Sequence, residues 1–177
     1  STAATALALT RLCIALRWAP AAADEVITWA NPPPTAPLRA EAASAILYTS
    51  PAHTLYTAGG VSSTTSTGTT TASLELWSYT TTSATWSRLA DAPAGLRSAT
   101  LAAVGTKLYL MGGLTDAGAY SSNVHVYDTL ADAWTTYATS YARAYHTANV
   151  NAGTVVLSGG VATTASASEP LLLTFDT

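Results

Sequence analysis

The chain writes one aromatic hairpin twice. "LELWSYTTTSATW" (Leu74 to Trp86) and "VHVYDTLADAW" (Val124 to Trp134) each set a tyrosine and a tryptophan seven residues apart around a polar, turn-like centre. Self-similarity at a period of roughly 50 residues marks a unit that cannot bury its own faces and must stack on copies of itself. Two further anchors keep the same period. A double glycine closes an apolar run at "LYTAGG", "LYLMGG" and "VVLSGG", at intervals of 53 residues (Gly59 to Gly112) and 47 residues (Gly112 to Gly159). An arginine opens the preceding stretch at "LRAEAA", "LRSATL" and "ARAYHT", which places Arg39, Arg97 and Arg143 as equivalents. "LLLTFDT" at Leu171–Thr177 repeats the first half of the hairpin, with Phe175 standing where Tyr79 and Tyr127 stand.

Each repeat reads as four short strands. The first follows the arginine, and the second ends at the double glycine. The third alternates apolar and polar residues, as in Val124-His125-Val126-Tyr127, and a tight turn leads to a fourth that carries the tryptophan. Glycine pairs let a backbone turn sharply and approach a neighbouring strand closely, so Gly59, Gly60, Gly112, Gly113, Gly159 and Gly160 are expected at equivalent places. Tyr79, Trp86, Tyr127 and Trp134 supply large apolar faces with one polar handle each, and both tryptophans are expected to be buried between sheets. Radial stacking of four-stranded sheets satisfies such a repeat.

The double glycine, the aromatic and the tryptophan at this period resemble the kelch repeat. That resemblance covers about residues 24–177 and implies an all-β propeller built from four-stranded antiparallel blades. Residues 39–96 and 97–142 are then two blades, and 143–177 supply the first three strands of another. Residues 1–38 read as the third and fourth strands of a preceding blade plus a connector, with a partial signal-like segment as the alternative. This count falls short of the four to eight blades of a usual propeller, so a segment of a larger one is expected.

Composition narrows the partners. Charged residues make up 10% of the chain, against about 25% in a typical soluble domain, and the net charge is −3 with Lys107 the single lysine. No basic surface is available to neutralise phosphates, so nucleic acid is not expected as a partner. No uncharged apolar run is long enough for a membrane-spanning helix. Threonine and serine supply the polarity, which suits glycan attachment or close packing in an assembly. Cys13 is the single cysteine, so an internal disulfide is impossible.

Few residues offer chemistry. His53 sits in the turn "SPAHTL", and His125 alternates with valines on a strand; both read as structural. "RAYHTANVNAGTVVLSGG" (Arg143–Gly160) resembles a segment of the galactose oxidase and glyoxal oxidase family, copper radical enzymes on kelch-like propellers. That resemblance implies Tyr145 and His146 as copper ligands. Kelch blades without enzymatic activity carry a similar arginine, histidine and double glycine, and the reading preferred here has no catalytic residue, metal or cofactor. Motifs for a nucleophile elbow, a P-loop or a dinucleotide site are absent, and Asp91, Asp116 and Asp128 fall in expected turns. The tract Ser62–Ser73 is a hydroxyl-rich, low-complexity loop, in which Thr64, Thr65, Thr67, Thr69, Thr70 and Thr71 are candidate O-glycosylation sites.

The sequence therefore leads to a binding or structural propeller module, with protein subunits or domains of a larger assembly as partners and glycans as a further class. Location outside the cell or on its surface is the accompanying expectation. A copper radical oxidase is the alternative.

Overall fold

Every described element is a β-strand. The computed structural model describes residues 13–14, 29–30, 39–48, 52–63, 70–162 and 173–175, and the chain divides into two units, Ser1–Ala36 and Pro37–Thr177. In the first unit β1 (Cys13–Ile14) pairs antiparallel with β2 (Trp29–Ala30), setting Ile14 opposite Trp29.

The second unit contains β3 (Ala43–Tyr48), β4 (His53–Ala58), β5 (Val61–Ser63), β6 (Thr70–Ala72), β7 (Leu76–Thr80) and β8 (Thr85–Arg88). Strands β3-β4-β7-β8 form the first sheet, and β5 pairs with β6 in a separate ribbon. The second sheet has β9 (Thr100–Val104), β10 (Lys107–Met111), β11 (Asn123–Asp128) and β12 (Ala133–Ala138), each paired with the next. In the third sheet β13 (Arg143–Asn151), β14 (Thr154–Ala162) and β15 (Leu173–Phe175) follow in order. All these pairings are antiparallel, as hairpin-connected neighbours require. Register makes the repeat exact at the residue level. Tyr79 lies opposite Leu55, Tyr127 opposite Leu108 and Phe175 opposite Val155.

Alternation then decides which side chains meet. One face of the first sheet presents Ala43, Tyr56, Ala58 and Leu76, and these pack against Leu101, Leu108, Leu110 and Tyr127 of the second. The other face of the second sheet presents Ala102, Met111 and Val124 to Val155 and Leu157 of the third. Leu76, Leu108, Leu110 and Val155 have no exposed surface. Complete burial of such a side chain is worth about 1.5–3 kcal/mol, so the two interfaces, rather than single sheets, carry the fold.

At the inner edge, backbone joins backbone. Gly60 N donates to the Leu96 carbonyl at 2.8 Å and Gly113 N to the Arg143 carbonyl at 2.7 Å, each bond passing from one sheet to the next. The preceding glycines are required here: Gly59 (φ 65) and Gly112 (φ 62) adopt a left-handed backbone. A Cβ on either would run into that same neighbouring carbonyl. A second ladder runs beside the first. Ser98 N donates to the Glu41 carbonyl and Tyr145 N to the Ser98 carbonyl, both at 3.0 Å, and all three residues have positive φ.

These bonds correct the sequence reading in several places. Glu41, Ser98 and Tyr145 are equivalents, which makes Leu96 the counterpart of Arg39 and Arg143; Arg97 lies one position further on. Gly159 and Gly160 keep the left-handed conformation of the other pairs but lie inside β14 instead of after it. His53 is the first residue of β4, not part of a turn. Trp86 and Trp134 are half-buried instead of enclosed, because β8 and β12 are the outermost strands of their sheets among the described residues. Each tryptophan packs on its tyrosine with ring centroids 5.1 Å apart.

Candidate functional site

The chemistry singled out by sequence gathers where the second and third sheets meet. His146 enters from β13, Arg143 from three residues earlier on the same strand, and Met111 and Gly112 from the end of β10. Ser122, Asn123 and Thr139 complete a shallow cleft with about 20 Å³ of room, enough for a water molecule and too little for an organic ligand.

His146 is 9% exposed and fits under Gly112, whose hypothetical Cβ would stand 2.7 Å from the His146 Cε1. Burial pushes its pKa below the ordinary value, the Arg143 charge adds to that, and the neighbouring Met111 carbonyl works the other way. The ring is a neutral packing element in a gap that only glycine can leave. Its Nδ1 is buried without a hydrogen-bond partner among the described residues. Arg143 turns back on its own sheet, donating to the Gly159 carbonyl and, at 3.4 Å, to that of Gly160.

Tyr145 departs from its neighbour: it is 55% exposed, with φ at 59. Among the described residues no three His, Cys, Asp or Glu side chains gather as a metal-binding group. His146 is wedged between sheets while Tyr145 faces solvent, and among the described residues no further His, Cys, Asp or Glu is collected around them.

The other candidates are spread over both core and surface. His125 is 2% exposed, its Nδ1 lies 2.8 Å from Thr136 Oγ1, and burial lowers its pKa. His53 meets Tyr48 edge-to-face at 5.3 Å on the surface. Asp128 accepts from Leu130 N and Ala131 N, closing the turn of its hairpin, and Asp116 accepts from Ala72 N. Asp91 is paired with Arg88 at 2.8 Å. Thr64, Thr65, Thr67 and Thr69 lie outside the described residues, whereas Thr70 and Thr71 belong to β6, where Thr71 is exposed.

One cluster had no sequence signal strong enough to find it. Tyr127 OH donates to Asp132 Oδ1 at 2.6 Å, Ala90 N donates to the same oxygen at 3.0 Å, and Trp134 Nε1 donates to the Ala90 carbonyl at 2.9 Å. The hairpin of the second sheet is thereby locked to the segment leaving the first. Burial and the Asp132 carboxylate push the Tyr127 pKa strongly upward, and the Tyr127 hydroxyl holds Asp132 below the usual carboxylate range. The spacing that joins Tyr127, Asp132 and Trp134 is visible in the sequence, but Ala90 offers only its backbone.

Antiparallel sheets stacked face to face, with glycine pairs and a backbone ladder joining their inner edges, are the blades of a β-propeller segment. Residues 95–140, which span the second blade, match the family model described as Kelch motif, which supports the kelch-repeat reading of this blade. No curated protein matches it. Among the described residues no helix is long and apolar enough to cross a membrane.

Proposed function

We propose that this chain is a non-enzymatic kelch propeller module that binds protein or builds an assembly, working without a cofactor in an extracellular or cell-surface protein. One observation carries the reading: among the described residues His125 and His146 are spent on packing, Asp116 and Asp128 on capping backbone amides, and Asp132 on blade-to-blade locking. What remains on the surface is an interaction surface, and kelch modules generally serve protein interaction. Glycans are a further class of partner. O-linked sugars on Thr64, Thr65, Thr67, Thr69, Thr70 or Thr71 would hydrate a chain in which charge is scarce.

Intact mass and native sizing of the purified natural protein test this. A mass raised by hexose or N-acetylhexosamine increments and an assembly larger than one chain are expected. An unmodified, stable 18.1 kDa monomer would defeat both halves. Copper taken up with high affinity and lost in His146→Ala would replace the module with the oxidase.

A further inference from the structure

A propeller covers the faces of its blades and leaves the fourth, outermost strand of each at the perimeter, where edges are normally short and protected. The two described fourth strands differ in this respect. β8 has four residues and ends in Arg88, which pairs with Asp91 at 2.8 Å; shortness and charge both keep an edge from pairing. β12 has six residues, Ala133 to Ala138, with no charge, proline or glycine among them. Its register against β11 runs unbroken, without a bulge, and every residue but Trp134 is exposed.

Hydrogen bonding shows which backbone groups that edge offers. Thr139 N donates to the Ser122 carbonyl at 3.1 Å, in the register that β12 keeps against β11. Bonded and non-bonded pairs alternate along an antiparallel pair of strands. Thr135 and Tyr137 therefore turn their N–H and C=O groups to β11, while Trp134, Thr136 and Ala138 turn theirs outward. Among the described residues none of these three has a backbone partner on the outer side. A row of donors and acceptors along an uncharged strand is a template for one more strand. This template is complementary to itself. With a twofold axis at Thr136, a second copy of β12 lies antiparallel so that outward-turned residues meet only each other. Thr136 then pairs with its own copy, and Trp134 with Ala138 of the second copy. Thr135 lies across from Tyr137 of the second copy, a β-branched side chain against an aromatic one, which like a Thr–Thr pair is a favourable cross-strand combination. Near a twofold axis every charge faces its own copy, so an uncharged strand is what a second copy requires.

We infer that β12 is a self-association edge, through which two copies of this chain pair antiparallel and join their second blades into one continuous sheet. This rests on the reading of the chain as an assembly module, and it names a second copy as the partner at this edge.

Charge placed by register tests it, with sedimentation equilibrium of the full chain as the readout. Thr135 and Tyr137 are exposed, so charged replacements there leave the core untouched. Thr135→Lys with Tyr137→Lys sets lysine against lysine twice across the pair. Like charges so juxtaposed should weaken the dimer at least on the order of 100-fold. Thr135→Lys with Tyr137→Glu carries the same lysine but sets it against glutamate, and should stay a dimer as the parent chain does. Undiminished association of the Lys/Lys variant, or loss of association in both variants, would overturn the inference and leave the module reading standing. A parent chain that stays monomeric would overturn the inference and the assembly reading together.

Discussion

Replacing Gly112 by alanine separates the two demands made on the double glycine. Gly112 has φ 62, and a left-handed alanine costs roughly 1–2 kcal/mol. Alanine is accepted elsewhere at such angles, at Ala84 (φ 53) and Ala152 (φ 48), so that cost alone is bearable. The added methyl would also overlap the Arg143 carbonyl oxygen and stand 2.7 Å from His146 Cε1, and neither group can retreat without parting the second and third blades. Overpacking of this kind typically adds about 1–3 kcal/mol. Gly112→Ala should therefore lose about 2–5 kcal/mol, a large share of the 5–15 kcal/mol available to an ordinary domain. Gly159→Ala is the internal control: its φ is 73, but its methyl would meet none of the described residues within 4 Å, leaving only the backbone cost of about 1–2 kcal/mol. Urea unfolding followed by tryptophan fluorescence measures both, with the slope checking that the transition stays comparable. Equal losses in the two variants would refute the claim that close approach of the next blade is what excludes a side chain at 112.

Other perturbations follow from single contacts. Trp134→Phe removes the donor to the Ala90 carbonyl and should cost about 0.5–1.5 kcal/mol more than Trp86→Phe, whose Nε1 is buried without a partner among the described residues. Urea midpoints of the two variants decide it. Acid should weaken the fold in two stages. His125 and His146 are held below 6.5 by burial, so the unfolded chain takes up their protons first. Stability is then full above about pH 6.5 and falls below it by up to about 1.4 kcal/mol per pH unit per histidine. The His125→Gln, His146→Gln double variant should be flat there. Asp132 is depressed by the Tyr127 hydroxyl, so its contribution is present above its ordinary value and disappears only as pH falls lower still, a step absent in Asp132→Asn.

Much of this fold was legible because its demands admit few residue types. Left-handed backbone under a neighbouring carbonyl leaves only glycine, and the Tyr–Trp pair across a tight hairpin recurs with its spacing intact, so both anchors could be read at a glance. Arginine was a poorer guide. The Leu-Arg pair at Leu96–Arg97 imitates Leu38–Arg39, but the carbonyl that meets Gly60 belongs to Leu96, and only hydrogen bonding shows the one-residue offset. The ribbon of β5 and β6 escaped notice because serine and threonine give a strand no apolar alternation. His146 could be named from sequence, yet its neutrality depends on burial beneath a glycine of another blade, which no local motif records.

Successive blades are joined by backbone bonds from Gly60, Ser98, Gly113 and Tyr145 to the next or preceding blade. Native-state hydrogen exchange, resolved residue by residue, measures those four amides directly. They are predicted to exchange only through the largest openings, with protection close to that of the core strands β10 and β11. Exchange at these four amides as fast as at exposed turn residues, while β10 and β11 remain protected, would show intact sheets without the stacking described here and would contradict the account.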